Sequence, residues 1–242
     1  MAKIIGKKAI VICMALAVML LSLILVLQLV THAHAEEVHA AEAAVDVMFY
    51  HKDATTPHAF KTFSTFEEGW EAALGANKNE RTVITMHADF WFKFMNGINR
   101  YPDAWNNTLY MDDKDLDITI DLNGHTIGRA LTDFVWYGQV FYINNGKLTI
   151  RDSKGGGRIT GGLDNGQYSG VPDEMAGAIH LQNDSVLVLE SGTISGNETK
   201  MSGGAVFLND SSTFIMTGGE ISGNKARQNM DDARRGLGGG VA

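Results

Sequence analysis

The chain has a single cysteine in 242 residues, and Cys13 falls in an apolar stretch near the start. The remainder can build neither a disulfide framework nor thiol chemistry. A basic balance is missing too: 20 Lys and Arg stand against 28 Asp and Glu, a formal net charge of −8. Nucleic acid needs a basic face, so that class of partner is excluded. In the C-terminal half no helical period survives, because Gly interrupts the pattern every few residues.

A block that repeats fills that half instead. Gly177-Ala178-Ile179-His180-Leu181 opens a unit that closes with Gly192-Thr193-Ile194-Ser195-Gly196-Asn197. Gly204-Ala205-Val206-Phe207-Leu208 opens the next, which closes with Gly219-Glu220-Ile221-Ser222-Gly223-Asn224. The offset is 27 residues at every matched position, without a gap. Similarity at a fixed period indicates a solenoid, in which each unit buries its apolar face against its neighbours. Alternation at period 2 places Ile179, Leu181, Leu187, Leu189 and Ile194 inward, and likewise Val206, Leu208, Phe214, Met216 and Ile221. Each unit thus reads as three short strands, and the whole as a parallel β-helix. Asn197 and Asn224 fit a stacked ladder whose amides bond turn backbone from coil to coil.

Degenerate copies lie upstream. Val140 and Tyr142, then Leu148 and Ile150, then Ile159 match the inward set, with Gly138 opening the unit. Earlier, Ile118, Ile120 and Leu122 alternate with polar residues, and Ile127 follows Gly124-His125-Thr126. Gly238-Gly239-Gly240-Val241 opens a further unit. The expectation is about four coils in 116–242, cut within a coil, from a longer protein.

The start of the chain carries an export signal. Lys3, Lys7 and Lys8 precede an apolar run from Ala9 to Val30, and Ala33-His34-Ala35 offers an A-x-A cleavage site. The run is 22 residues long, enough to span a bilayer, so 1–35 reads as a signal peptide or an uncleaved membrane anchor. Both readings put the remainder outside the cell, secreted or on its surface. Cleavage would leave 17 basic against 28 acidic residues, a net charge of −11. Residues 36–64 read as a linker, and His32, His34 and His39 as signal-flanking sequence rather than a metal site. Thr65 to Leu74 reads as a short amphipathic helix with Thr65 and Glu68 as a capping box, opening an N-terminal cap region over 65–115. The aromatic groups Trp91, Phe92, Phe94, Tyr101, Trp105 and Phe134, Trp136, Tyr137 read as cap packing or as platforms for sugar rings.

Ile118-Thr119-Ile120-Asp121-Leu122-Asn123-Gly124-His125-Thr126-Ile127 resembles the first coil of bacterial right-handed β-helix proteins of the pectin-lyase-like superfamily. Gly203-Gly204-Ala205-Val206 with Ile221-Ser222-Gly223-Asn224 is similar to repeats of large bacterial surface proteins of that architecture. It also resembles the repeats of chlamydial polymorphic membrane proteins, though their Phe-x-x-Asn element is not matched. The resemblance covers about Phe66 to Ala242. It implies an all-β, right-handed parallel β-helix, a solenoid with three strands per coil and a short capping helix. It leaves activity open, because that fold hosts lyases, hydrolases, epimerases and adhesins alike.

Inserts of unequal length all fall at one joint of the coil: Leu163 to Ala176, Glu198 to Ser202 and Lys225 to Leu237. Loops that line up on one edge are where repeat proteins bind. The candidate ligand-binding residues there are Asp164, Tyr168, Asp173, Glu174, Asp231, Asp232, Arg234 and Arg235. Lyases of this fold hold Ca²⁺ on clustered carboxylates, so Ca²⁺ is implied if the chain is a lyase; no other cofactor or metal is expected. The hydrolase pattern is not met, since His125 is followed by Thr126 and Arg158-Ile159 by Thr160. No catalytic residue is assigned. The expected function is a non-catalytic surface protein, adhesin-like or carbohydrate-contacting, with carbohydrate or a host or cell-surface protein as partner. The alternative is a polysaccharide lyase or glycoside hydrolase whose catalytic coils lie beyond Ala242.

Overall fold

A computed structural model describes residues 43–93, 108–166, 176–227 and 238–242. All of them belong to one compact unit, Ala43–Ala242. The expected signal or anchor lies outside the described residues. Among those described, no helix is long and apolar enough to cross a membrane.

The described unit is mostly β. It begins with β1 (Val45–His51), β2 (Ala59–Phe63), α1 (Phe66–Leu74), β3 (Glu80–Met86) and β4 (Phe90–Phe92). Then come β5 (Leu109–Met111), β6 (Asp117–Asp121) and β7 (Thr126–Arg129). They are followed by β8 (Phe141–Asn144), β9 (Lys147–Arg151), β10 (Arg158–Thr160) and β11 (Leu163–Asp164). The next set is β12 (Ile179–Gln182), β13 (Val186–Leu189), β14 (Thr193–Ser195) and β15 (Glu198–Thr199). The last is β16 (Val206–Leu208), β17 (Thr213–Met216), β18 (Glu220–Ser222) and β19 (Lys225–Ala226).

These strands make four sheets, visited in rotation. The first runs β17-β13-β9-β6-β3-β1-β2 and the second β18-β14-β10-β7-β4. The third is β11-β15-β19 and the fourth β16-β12-β8-β5. Every pairing is parallel except β1 with β2 and β1 with β3. The 27-residue period is the pairing register itself: Ile179 faces Val206, Leu187 faces Phe214 and Ile194 faces Ile221. One column on the second sheet runs Phe90, Ile127, Ile159, Ile194, Ile221; its three inner members are fully buried and Phe90 nearly so. Each buried aliphatic side chain in such a column contributes about 1.5–3 kcal/mol relative to exposure.

The structure departs from expectation at several points. A fourth strand of two residues follows each Ser-Gly-Asn turn or its equivalent, where three strands per coil were expected. It is too short to carry a period-2 signal. The degenerate unit is shifted by one residue: Ile179 pairs with Phe141 and Leu181 with Ile143, so these, not Val140 and Tyr142, continue the inward columns. Val140-Phe141-Tyr142-Ile143 is apolar throughout, and an unbroken run has no phase to read. The coil pattern also starts earlier than 116, since β3 pairs in parallel with β6 and β4 with β7. The supposed linker 36–64 contains β1 and β2, and Val45 and Val47 are fully buried in the same core. Met216, expected inward, is 46% exposed, while Leu208, Phe214 and Ile221 are partly buried against the core. The strands β17 and β18 are sheet edges, so their side chains have cover from one side only.

The helix forms where its cap dictates. Thr65 accepts a hydrogen bond from the Glu68 N–H, whereas the Glu68 carboxylate accepts from Ser64 Oγ, so only half of the capping box is made. Phe66 and Trp70 turn inward; Phe66 stacks on Phe90 at 4.7 Å and Trp70 meets Phe141 edge-on at 5.9 Å. Gly69 allows the close approach, because a Cβ there would come within 2.4 Å of Val45.

Candidate functional site

The inserts leave from the third sheet and return to the fourth. Gly177 donates to the Gly203 carbonyl at 2.9 Å, and Gly204 to the Gly238 carbonyl at 3.0 Å, so the returns stack in register. The Gly openings follow from this crowding. A Cβ on Gly177 would lie 2.2 Å from the Gly204 oxygen and 2.8 Å from the Glu198 nitrogen, both backbone atoms that cannot give way.

Asp164 is the one insert candidate within the described residues, and it is not on a solvated loop. It is fully buried, and its carboxylate accepts from the Gly138 and Gly166 N–H groups, each at 2.7 Å. Burial pushes its pKa up to about 7, against the pull of those two bonds and of the Arg129 charge. Arg129 is buried as well and lowered by burial to about 9. Its guanidinium donates to the carbonyls of Tyr137 (3.2 Å), Gln139 (2.6 Å) and Lys93 (2.9 Å) and lies over the Phe92 ring. Both side chains are committed to holding backbone. Tyr168, Asp173, Glu174, Asp231, Asp232, Arg234 and Arg235 lie outside the described residues.

What the described part of this edge does present is aromatic and charged. Val135 pairs with Asp164 and extends the third sheet by one position. Beside it, the Phe134 ring carries Lys200 Nζ at 5.0 Å and the Arg227 guanidinium at 5.7 Å. Arg227 is also ion-paired with Glu198. Trp136, in the same connection, is 53% exposed. On the second sheet Trp91 is 48% exposed and lies across Gly128, where a Cβ would come within 2.4 Å of its ring. Aromatic faces ringed by fixed cations and a carboxylate can stack on flat or weakly polar ligand faces and hydrogen-bond hydroxyl groups.

Two ladders stiffen the scaffold underneath. Asn197, 1% exposed, accepts from Gly162 N at 3.0 Å. Its amide donates to the Ile159 carbonyl (3.2 Å), the Ser195 carbonyl (3.1 Å) and Asn224 Oδ1 (2.9 Å). Asn224 in turn donates to the Ile194 carbonyl at 2.8 Å. On the fourth sheet the rings of Tyr110, Tyr142, His180 and Phe207 form a column with centroids 4.7–5.4 Å apart. His180 is 2% exposed, and neither ring nitrogen finds a hydrogen-bond partner among the described residues. Burial lowers its pKa to about 3, so it stays neutral.

One cluster of metal-type donors lies elsewhere, on the β1–β2 hairpin that was read as linker. His51, His58 and Glu80 hold their donor atoms within 4.8 Å of one another. The two imidazoles stack at 4.3 Å, and His58 Nε2 is 2.9 Å from Glu80 Oε1. The Glu80 pKa is lowered, first by the Asn77 backbone N–H and then by the Asn77 side chain, so the carboxylate stays ionised. Compared with protein-family models, curated proteins and solved structures, the chain matches none.

Proposed function

We propose that this chain is the right-handed parallel β-helix part of a secreted or cell-surface protein, non-catalytic and adhesin-like, whose insert-bearing edge contacts carbohydrate. Four sheets visited in a constant order, the third joining from β11 on, with in-register parallel pairing from β3 to β19, support the helical winding. The right hand follows from the chirality of parallel crossover connections, which are right-handed in about 98% of cases. The apolar start with its A-x-A site supports export.

The observation that carries the binding reading is the aromatic edge. Trp136 beside it and Trp91 on the second sheet expose about half their surface, Phe60 on the hairpin 58%, while most other large aromatics among the described residues are buried, and Phe134 sits beneath two cations. A rigid solenoid needs no such rings outside, and exposed aromatics on a rigid frame lose little entropy on binding. The test is a glycan array probed with the full chain and with Trp91→Ala and Trp136→Ala. Binding to a defined glycan class, lost in at least one tryptophan variant, is the expected outcome. Equal binding by both variants overturns the proposal, and cleavage of a uronate polymer by the purified chain replaces it with a lyase.

A further inference from the structure

We propose that His51, His58 and Glu80 form a divalent transition-metal site, with Zn²⁺ as its natural occupant, on the hairpin outside the coil stack. The donor set is two imidazole nitrogens and one carboxylate, a combination that suits Zn²⁺ and is a poor match for Ca²⁺, which takes six or more oxygens. Three protein ligands leave the fourth tetrahedral position to water.

The backbone brings the three together from separate elements. His51 ends β1 directly opposite Glu80, the first residue of β3. His58 is tied across the hairpin by its N–H to the Phe49 carbonyl at 2.9 Å. The connection between them is pinned: Lys52 donates to the Asn79 carbonyl at 2.9 Å, Ala54 to the His51 carbonyl at 2.9 Å, and Arg81 Nη2 to the Ala54 carbonyl at 3.0 Å. Arg81 itself is braced over the Tyr50 ring at 4.0 Å. Glu80 is oriented before any ion arrives, since Asn77 donates its backbone N–H to Oε2 (2.9 Å) and its amide to Oε1 (3.0 Å). Such outer partners fix ligand direction in metal sites.

Zn²⁺ bonds of about 2.0–2.2 Å require donors about 3.4 Å apart in a tetrahedron. The His58–Glu80 contact at 2.9 Å must open slightly, the ion taking the place of the shared proton, while His51 must close from within the 4.8 Å cluster. His51 is exposed, and its closing exchanges the stack on His58 for a bond to the ion. The bound ion would clamp the 52–57 turn onto β3.

The experiment is calorimetric titration of ZnCl₂ into the full chain carrying His32→Ala, His34→Ala and His39→Ala, which removes the N-terminal histidines from the count. One equivalent is expected, with no response to CaCl₂. His51→Ala and His58→Ala should each weaken binding at least about tenfold, and Asn77→Ala about tenfold through the Glu80 orientation. His87→Ala, whose ring pairs with Asp46, should leave the isotherm unchanged. In the same background, NMR should show the His51 and His58 ring signals shifting on Zn²⁺ addition. An isotherm unaltered by His51→Ala, or Zn²⁺ uptake without movement of those two rings, overturns the site.

Discussion

Replacing Asn197 by Ala tests the scaffold most sharply, because one small side chain bonds residues of three successive repeat units at once. The amide is buried and makes four hydrogen bonds. Truncation leaves the buried Gly162 N–H without its acceptor and removes the amide's bonds to the Ile159 and Ser195 carbonyls, while the strand pairing of Ile159 with Ile194 and the Asn197 backbone N–H bond to Asn224 Oδ1 at 3.1 Å remain. One buried group left unsatisfied costs about 1–3 kcal/mol and the lost amide bonds about 1 more, so about 2–4 kcal/mol is expected. That is a large fraction of the 5–15 kcal/mol typical of a whole domain. Urea unfolding followed by circular dichroism should show a lower midpoint with an unchanged slope. Asn197→Asp keeps the acceptor for Gly162 but sets a carboxylate against the Ile159 carbonyl and Asn224 Oδ1, and should cost at least as much at neutral pH. Asn224→Ala, in a half-buried position with fewer bonds, should cost about 1 kcal/mol. A loss under about 1 kcal/mol for Asn197→Ala would refute the argument, because the ladder would then be decoration on a frame held by apolar packing alone.

Two buried titrating groups should bend the pH–stability curve in opposite directions. Asp164 has a folded pKa of about 7 against an ordinary 3.8, so the native state binds the extra proton and stability from this group falls as pH rises from about 4 to 7. His180 has a folded pKa of about 3 against 6.5, so the unfolded state binds the extra proton and stability from this group rises over about pH 3 to 6.5. Relative to the unsubstituted chain, Asp164→Asn should make stability rise more steeply with pH between 4 and 6.5, and His180→Phe should flatten that rise; equal slopes in all three would sink both assignments. The glycines divide by mechanism. Gly177→Ala drives a Cβ into backbone and should cost about 1–3 kcal/mol or block folding, read from the thermal midpoint. Gly223→Ala meets nothing within 4 Å and should cost only the strain of its φ of +62°, about 1–2 kcal/mol.

The architecture was legible in the sequence where period 2 and period 27 coincided. Ile194 and Ile221 stand alone between Gly and Ser-Gly-Asn, so nothing competed for their phase, and they pair as the offset requires. Legibility failed wherever one signal was missing. Phe141 and Ile143 hid inside an apolar run with no phase. Leu163–Asp164 and its equivalents are too short for any period. β1 and β2 were hidden because a hairpin added antiparallel to the first sheet belongs to no repeat, and its alternation, Val45, Val47 and Phe49 inward, sits beside an alanine-rich stretch that reads as linker. Asp164 was misjudged for a related reason. An acid next to a variable insert looks solvated, yet the residue that closes a coil corner must satisfy two backbone N–H groups where water cannot reach, and a carboxylate does so with one side chain.

The same reasoning explains why the metal-type cluster could not be found by spacing. His51, His58 and Glu80 are 7 and 22 residues apart; the first interval would share a helix face, but this segment is a hairpin, and the second has no meaning along a single element. They meet only because β1 pairs with β3 on one side and β2 on the other, so the hairpin turn folds back over the start of β3. In a repeat scaffold the columns are written in the period and can be read from it. Chemistry carried on elements that break the period is fixed by pairing across the sheet edge. Here that edge is the β1–β2 hairpin, and it is there rather than among the parallel-paired strands that three metal-type donors of the described residues come together.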